Sequence, residues 1–437
     1  MKKFSIITLG CPKNQVDSEY LAGNLLKNNF ELVPPEKSEG IIIMTCSFIN
    51  PAVKETENTI RKFIELKRNK KIKFLAVGGC YIHRFKEKIK EKFPEIDLLF
   101  GFDDIENFEK ILKKNKETNY SSTRFIYSDK IPRLISTRNF AYLKISEGCD
   151  ELCSFCIIPK IRGKYRSKPM EKIIEEAKLL TDSGFYEIIL ISQSTGLYGV
   201  DIYKKKMLKE LLKNLLKIKK LRLLRIFYLH PADFDEEIIK LIVDNDKMAP
   251  YIDIPIQHIS ENVLTTMRRR GKKEKILSAL ELIDKYKNKR NLTVRTEIIV
   301  GFPTEREEDF EELYEFCKKD NLIKRWALFK YHNEKESFAY ENYKPLANKI
   351  IEERYKKMLE VIREKNLISA KELIGKELIF IPEYKEDGRV FGHTEYDAPE
   401  IDIKSFVESD DYENFVFRKL KVKSISKKGF KLVNIYP

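Results

Sequence analysis

Three closely spaced cysteines give this sequence its most specific chemical signal. Cys149, Cys153 and Cys156 follow the spacing C-x₃-C-x₂-C, directly after an apolar run. Three thiolates can hold three irons of a [4Fe-4S] cubane, which leaves the fourth iron open to a small molecule. A structural zinc site normally requires four protein ligands, and no fourth Cys or His lies nearby in the sequence. The spacing therefore favours an open iron–sulfur cluster over zinc or inert core thiols.

Three further cysteines lie far apart in the sequence but share a position in the predicted fold: Cys11, Cys46 and Cys80. Each follows a short apolar run, and helical segments separate these runs, which is typical of a parallel sheet covered on both faces. The predicted strands are Phe4–Leu9, Gly40–Met44 and Lys73–Val77, and the predicted helices are Asp17–Asn29 and Val53–Asn69. Ligand sites form beyond the carboxyl ends of such strands. We therefore expect the three thiols to converge, either on a second cluster or as buried core thiols.

Six strand-like runs separated by helical runs occupy the middle of the chain. The predicted strands are Ala141–Ser146, Glu187–Ser192, Leu223–Tyr228, Ile252–Ile256, Val294–Val300 and Trp326–Lys330. The predicted helices include Met170–Leu180, Lys273–Lys287, Glu307–Lys319 and a long final one, Ile350–Glu372. Six βα units indicate a partial barrel with its chemistry at the carboxyl ends of the strands. Cys317 falls in a helical run and is expected in the core.

The chain changes character after residue 374. Short strand-like runs such as Leu378–Ile381 and Lys419–Ser424 are separated by turn residues, which predicts a small all-β barrel. We therefore predict an α/β multidomain fold. Its parts are a parallel-sheet α/β domain at residues 2–116, a partial (βα)6 barrel at 135–367 and a small β-barrel at 370–437, with a polar linker at 115–136.

Composition bounds the location and the partners of the chain. The 437 residues carry a formal net charge of +15, which is typical of proteins with a nucleic-acid or ribosomal partner and equally of a lysine-rich proteome. No apolar run approaches the ~18 residues that span a membrane. Seven cysteines, an odd number, argue against a disulfide framework. We expect a cytoplasmic protein with reduced thiols and no membrane partner.

The flanks of both cysteine sets resemble known families. The segment Gly148–Cys156 resembles the radical S-adenosylmethionine (SAM) superfamily. That resemblance implies that SAM binds the open iron and is cleaved to a 5′-deoxyadenosyl radical. Residues 9–19, 44–50 and 78–80 resemble the N-terminal domain of the methylthiotransferases. This second resemblance implies an auxiliary [4Fe-4S] cluster on Cys11, Cys46 and Cys80 that delivers sulfur, with SAM also donating the methyl group.

One short motif narrows the resemblance to a branch. Members acting on adenosine in transfer RNA tend to read Gly-Cys-Gln-Met-Asn, whereas this chain reads Gly10-Cys11-Pro12-Lys13-Asn14. The latter is similar to the branch that methylthiolates the β-carbon of an aspartate in ribosomal protein uS12, as are residues 154–163, 253–260, 267–269 and 397–402. The sequence departs from that branch at Ser194 and at Tyr331–Glu334, so the resemblance does not define the details of the substrate pocket.

The resemblance to this branch has further implications. It implies a TRAM-type C-terminal barrel, uS12 as substrate, free or on the ribosome or its small subunit, an electron donor, and a monomeric enzyme. Two alternatives stay open: a transfer-RNA adenosine methylthiotransferase, and a non-catalytic metal-containing protein that binds RNA.

Candidate SAM contacts lie on the predicted barrel strands. Gln193 ends the second strand, Arg295 lies on the fifth with Glu297 on the same side, and Gly301 closes the fifth. An arginine suits the carboxylate of SAM, and a glycine lets a ligand approach the backbone. Each of these residues suits a polar barrel core equally well.

Other polar residues have weaker signals. His258 is expected to be structural, and Arg162, Arg166 and Arg268–Arg270 either contact substrate or form a solvated basic face. The tail from Glu395 to Glu413 holds eight acidic residues and one base. A surface that grips transfer RNA should be basic, because phosphate contacts dominate affinity. The acidic region therefore favours a basic protein partner over a solvated loop with no partner.

Overall fold

The computed structural model describes residues 2–86, 88–114, 129, 132–409, 417–426 and 429–434. Most of the predicted linker at 115–136 lies outside these residues. The chain divides into two compact units. The first comprises residues 1–136, 146–150 and 156–168, and the second comprises residues 137–145, 151–155 and 169–437. Within the described part of the chain, no helix is both long and apolar enough to cross a membrane.

A five-stranded sheet organises the first unit. Its elements in chain order are β1 (Lys3–Thr8), α1 (Pro12–Lys27), β2 (Glu31–Leu32), β3 (Gly40–Thr45), α2 (Asn50–Arg68), β4 (Phe74–Gly79), α3 (Cys80–Phe85), α4 (Lys88–Lys92), β5 (Leu98–Phe100) and α5 (Phe108–Lys114). The strand order is β2-β1-β3-β4-β5, and every pairing is parallel. β3 and β4 are buried along their whole length. The covered parallel sheet predicted from the sequence is confirmed, and the short strands β2 and β5 were missed.

Helix α1 begins earlier than the sequence pattern indicated. The prediction began it at Asp17, whereas the helix begins at Pro12, directly after Cys11. Proline is favoured at the first helical position because its missing N–H would have no partner there. The first cysteine is therefore held between the end of β1 and the beginning of α1.

The middle of the chain contains the six predicted strands. Its elements are β6 (Phe140–Lys144), β7 (Ser146–Glu147), α6 (Ile158–Arg162), β8 (Arg166–Ser167), α7 (Met170–Asp182), β9 (Glu187–Ile191), α8 (Val200–Tyr203), α9 (Leu208–Leu216), β10 (Leu223–Ile226), α10 (Glu236–Asp244), β11 (Tyr251–Asp253), α11 (Glu261–Thr266), α12 (Lys272–Tyr286), β12 (Thr293–Val300), α13 (Glu307–Lys319), β13 (Ile323–Lys330), α14 (Phe338–Asn342) and α15 (Asn348–Lys371). Of these, β7, α6 and β8 belong to the first unit.

Two parallel sheets make the partial barrel of the second unit. One has the order β10-β9-β6 and the other β11-β12-β13. A parallel bridge between Leu224 and Met248 joins β10 to the segment before β11. The predicted barrel is confirmed, and α13 agrees with its prediction at both ends. Cys317 is fully buried in that helix, as expected.

A closed β-barrel ends the described chain. It consists of β14 (Glu377–Glu386), β15 (Arg389–Thr394), β16 (Ser405–Glu408), β17 (Arg418–Ser426) and β18 (Gly429–Asn434), in the order β14-β15-β16-β18-β17. Leu378, Phe380 and Val390 are among its buried core. The small all-β barrel predicted from the turn-rich tail is confirmed.

The acidic tail segment is paired within the second unit. The Arg325 guanidinium lies 2.8 Å from the Asp397 carboxylate, and the Tyr251 hydroxyl donates to Asp402 at 2.6 Å. Burial raises the pKa of Glu395 to about 8, so this side chain carries little charge at neutral pH. The expectation that these acids form a surface for a basic partner was therefore wrong for these three residues. Residues 410–413 lie outside the described part.

A buried histidine of the tail barrel also contacts the partial barrel of the second unit. The two ring nitrogens of His393 lie 2.6 Å from the Glu187 carboxylate and 2.7 Å from that of Glu383. Burial alone would lower the pKa of His393, but the two carboxylates outweigh it and raise that pKa to about 9. Glu187 also accepts from Arg225, which is fully buried. Charges from β9, β10 and the tail barrel therefore form one compensated network.

We expect Asp397→Asn to lower the free energy of unfolding of the second unit by about 3–5 kcal/mol, because it leaves the buried Arg325 without its main counter-ion. Trp326, the single tryptophan of the chain, neighbours Arg325 and reports the transition by its fluorescence in urea. The matched control is Glu408→Gln, which removes an exposed pair with Lys431 and should cost less than about 1 kcal/mol. Equal losses in the two variants would contradict the structural role of the Arg325–Asp397 pair.

Candidate metal centres

Three neighbouring strands bring Cys11, Cys46 and Cys80 together at one edge of the first unit. Cys46 directly follows β3, Cys80 directly follows β4, and Cys11 lies between β1 and α1. The electrostatics show that the thiols are neighbours. After burial, the Cys11 thiol is the next cause that raises the pKa of Cys46. Cys46 and Cys11 both raise the pKa of Cys80.

Glycine at position 10 makes the approach of these thiols possible. Gly10 has φ +91°, and a Cβ built there would lie 2.7 Å from Cys46 Cβ and 2.8 Å from Cys46 Sγ. Any side chain would therefore push Cys46 away from the edge.

Asn14 clamps the strand ends that carry these cysteines. Its Nδ2 donates to the carbonyl oxygens of Leu9 at 2.7 Å and Thr45 at 2.9 Å. The residues that follow β1 and end β3 are thus tied to the first turn of α1. Sequence analysis quoted Asn14 only within a motif and missed this role, because its partners are backbone groups distant in sequence.

A buried cation lies beside Cys80. Burial raises the pKa of the Cys80 thiol to about 12, and the positive charge of Arg162 acts in the opposite direction. Arg162 is only 2% exposed. The suggestion that Arg162 lies on a solvated basic face was therefore wrong, because α6 directs its side chain into the first unit.

The chemistry of these residues fits an iron–sulfur cluster. Three thiols and one compensating cation meet in a cradle that a Cβ at Gly10 would fill. Among the described residues, no group of three or more His, Cys, Asp or Glu side chains is placed closely enough to hold a single metal ion. A four-iron cubane is larger than one ion, so ligands at its corners stand further apart than those of zinc. Metal binding would also displace the thiol protons that burial otherwise retains.

The second cysteine set begins with Cys149, two residues after the end of β7. In the first unit, the Cys149 N–H donates to the Gly163 carbonyl at 3.2 Å, and Cys156 Sγ accepts from the Ile158 N–H at 3.4 Å. Gly148 has φ +78°, and a Cβ there would meet the Lys164 carbonyl oxygen at 2.2 Å. Backbone contacts thus fix both ends of the C-x₃-C-x₂-C segment.

In the second unit, two successive arginines hold the centre of this segment. Arg269 Nη1 donates to Cys153 Sγ at 3.5 Å. Arg270 is within 2.7 Å of Glu151 and 2.6 Å of Asp233. The sequence left two roles open for these arginines, namely contact with the substrate or a place on a solvated basic face. The structure gives both of them partners within the chain.

The structure also locates the three predicted SAM contacts. Gln193 is half-buried and lies two residues after the end of β9. Arg295 is buried near the beginning of β12, 2.8 Å from Asp253. The Gly301 N–H donates to both carboxylate oxygens of Glu305 at 3.0 Å. All three stay predictions, and the internal partners of Arg295 and Gly301 count against a direct contact with SAM.

Two other residues noted from the sequence have clear structural settings. His258 is fully buried, with its Nε2 3.4 Å from Glu305, and its Nδ1 accepts from the Ser260 N–H at 3.0 Å. This agrees with the structural role expected for it. Ser194 donates to Glu151 at 3.1 Å, so the departure at this position contacts the cysteine segment.

Comparison with known proteins adds independent evidence. The profile of the Radical SAM superfamily matches residues 143–317, and that of the uncharacterized protein family UPF0004 matches residues 3–101. The chain is 39% identical over 427 residues to the ribosomal protein uS12 methylthiotransferase RimO of Clostridioides difficile, covering 94% of each chain. It is 38% identical over 431 residues to the protein of the same name from Aquifex aeolicus, covering 97% of this chain and 95% of the relative.

Solved structures show the same fold at low sequence identity. The radical S-adenosylmethionine methyltransferase TsrM from Kitasatospora setae, with cobalamin and a [4Fe-4S] cluster bound, matches with a TM-score of 0.55 and 13% identity. The match covers 75% of each chain. At this identity the likeness concerns the fold alone.

We expect Gly10→Ala to remove most of the iron bound at the first cysteine set, because its methyl group would displace Cys46. Anaerobic reconstitution followed by iron analysis and Mössbauer spectroscopy measures this loss. Gly184→Ala is the matched control: Gly184 has φ +96° but open space around its Cβ position, so it carries only the backbone strain of about 1–2 kcal/mol. Full iron content in Gly10→Ala would show that Cys46 is not held as a ligand there.

Proposed function

The chain belongs to the ribosomal protein uS12 methylthiotransferases, a family of radical SAM enzymes, and we propose that it transfers a methylthio group to the β-carbon of an aspartate in uS12. The observation that carries this proposal is the meeting of Cys11, Cys46 and Cys80 at one sheet edge. A radical SAM enzyme that only cleaved SAM would need one cysteine set. The additional set, Cys11, Cys46 and Cys80, gives the chain a place for sulfur.

The family uses a [4Fe-4S] cluster and SAM, and we propose that this chain holds two such clusters. One bound at Cys149, Cys153 and Cys156 would supply the electron that cleaves SAM into methionine and a 5′-deoxyadenosyl radical, which can take hydrogen from an unactivated carbon. One bound at Cys11, Cys46 and Cys80 would supply the sulfur, and a further SAM the methyl group.

The chain's own residues hold and orient these ligands. Asn14 fixes the strand ends beside Cys11 and Cys46. Arg269 donates to Cys153, and hydrogen bonds to ligand sulfurs tune the potential of a cluster. Burial of Cys46 and Cys80 keeps water from the sulfur. Gln193, Arg295 and Gly301 stay proposed SAM contacts.

We further propose three functional segments: a cluster domain at 2–116, a radical SAM core at 135–367 and a TRAM-type barrel at 370–437. The family relationship supports uS12 as the substrate, free or in the small ribosomal subunit. It also supports a cytoplasmic monomer that receives electrons from a separate donor. Transfer RNA is the rival substrate, and the motif around Pro12 and Lys13 weighs against it.

Mass spectrometry of uS12 tests the proposed reaction. We expect anaerobic incubation with the reconstituted enzyme, SAM, dithionite and sulfide to add one methylthio group to a single aspartate. A parallel incubation with unmodified transfer RNA is the control and should yield no methylthioadenosine. Modified transfer RNA with unmodified uS12 would replace the proposed substrate by its rival.

Single cysteine variants separate the two sites. Cys153→Ala should abolish 5′-deoxyadenosine formation, because the cluster that would cleave SAM loses a ligand. Cys46→Ala should still form 5′-deoxyadenosine but no methylthio product, because only the sulfur site is changed. Liquid chromatography of the nucleoside and mass spectrometry of uS12 measure both outcomes. Cys317→Ala, which changes a buried thiol of α13, is the control and should retain both activities. A methylthio product from Cys46→Ala would contradict the assigned sulfur site.

A further inference from the structure

Helix α6 is joined to the C-x₃-C-x₂-C segment at both of its ends. At its beginning, the Ile158 N–H donates to Cys156 Sγ at 3.4 Å. Directly after its end, the Gly163 carbonyl accepts from the Cys149 N–H at 3.2 Å. All of these residues belong to the first unit. The position of α6 therefore sets the position of two of the three cysteines in this segment.

A buried arginine connects the end of α6 to the beginning of α1. The Nη2 of Arg162, the last residue of α6, donates to Asn14 Oδ1 at 2.9 Å. Its Nη1 lies 2.7 Å from the Asp17 carboxylate, also on α1, and 3.0 Å from that of Glu147. The centre of the Phe102 ring lies 3.9 Å from the guanidinium carbon. Because the guanidinium is planar and rigid, bonds from two of its nitrogens fix its orientation as well as its position.

Asn14 extends this connection to the other cysteine set. Its Nδ2 donates to the carbonyl oxygens of Leu9 at 2.7 Å and Thr45 at 2.9 Å. Thr45 directly precedes Cys46, and Leu9 lies two residues before Cys11. The single amide of Asn14 therefore binds α6 through its oxygen and two cysteine-bearing strand ends through its nitrogen.

Burial makes this connection rigid. Arg162, Asn14 and Asp17 are all 2% exposed or less, so water has little access to replace a bond that opens. A buried donor or acceptor that loses its partner costs more free energy than an exposed one. Within the first unit, a continuous path of hydrogen bonds and short helical segments thus leads from Cys149 and Cys156 to the strand ends beside Cys11 and Cys46.

We propose that Arg162 is a positioning residue that holds the two cysteine sets at a fixed separation. This inference rests on the proposed function, in which hydrogen abstraction depends on one set, sulfur transfer depends on the other, and both act on the same carbon. Two groups that act on one atom in turn must be held in a defined geometry. Arg162 does not touch the substrate or the reacting atoms; it acts through α6 and Asn14.

The test compares Arg162→Lys with the unmodified chain, both reconstituted with iron and sulfide. Lysine keeps the positive charge near Asp17 and Glu147 but lacks the planar fork that also holds Asn14. We expect 5′-deoxyadenosine formation to be retained. The ratio of methylthio product to 5′-deoxyadenosine should fall about tenfold, because a misplacement of about 1 Å can cost ~100-fold in rate. Liquid chromatography of the nucleoside and mass spectrometry of uS12 give this ratio.

Pulsed electron paramagnetic resonance provides a readout that does not require turnover. When both clusters are reduced, the magnetic dipolar interaction between them depends on their separation. We expect a broader distribution of this interaction in Arg162→Lys at unchanged iron content. The control is Lys160→Gln, which changes an exposed residue of the same helix and should alter neither the interaction nor the product ratio.

A second variant covers the case in which lysine restores the connection. Asp17→Asn/Arg162→Gln removes one positive and one negative charge together, so the net charge of the buried group is unchanged. It also shortens the side chain at position 162. We expect a larger fall in the product ratio and a broader dipolar distribution than in Arg162→Lys.

Three results would count against these assignments. A product ratio and a dipolar interaction like those of the unmodified chain in both Arg162 variants would overturn the proposal. Loss of iron in both variants would overturn it as well, because Arg162 would then have a purely structural role. An unmodified chain that binds one cluster alone would instead refute the second cluster of the proposed function, and this inference with it.

Discussion

A thiol must lose its proton before it can bind iron, and burial opposes that loss because the anion is poorly solvated. Both effects act on Cys80, which is a proposed iron ligand and is buried at the edge of a parallel sheet with two other thiols nearby. The charge of one buried cation, Arg162, acts on this thiol, and Asp17 and Glu147 balance that cation. The surrounding backbone holds the three thiols close together. Gly10 leaves space for Cys46, and Asn14 ties the strand ends together.

The second unit balances buried charge in the same way over a larger area. Arg225, Arg295 and Arg325 lie on barrel strands, and their partners include backbone or carboxylate groups of the tail. Breaking one buried pair leaves the other charge without compensation, which costs far more than breaking an exposed pair. The tail barrel is therefore specified as part of this unit by paired charges as well as by apolar packing. Glu395, Asp397 and Asp402 of the acidic segment belong to that contact.

Family membership and site geometry support different parts of the functional conclusion. Relatives 38–39% identical over nearly the full chain identify the enzyme family, whereas a solved structure at 13% identity supports the fold alone. The geometry adds what neither gives, namely which side chains hold each cysteine in position. Arg269 donates a hydrogen bond to Cys153, and the charge of the buried Arg162 acts on Cys80.

The sequence alone determined the features that depend on local order along the chain. The spacing of Cys149, Cys153 and Cys156 indicated a cluster, and alternating apolar runs predicted the parallel sheet and the six-stranded partial barrel. Even the convergence of the distant cysteines followed, because parallel strands end at the same edge. Only the tertiary structure decided the partners of the buried charges. Arg162 and Asp17 are 145 residues apart, and Arg325 and Asp397 are 72 apart. Neither periodicity nor spacing carries information over such distances, because these pairs form only when packing removes both charges from water.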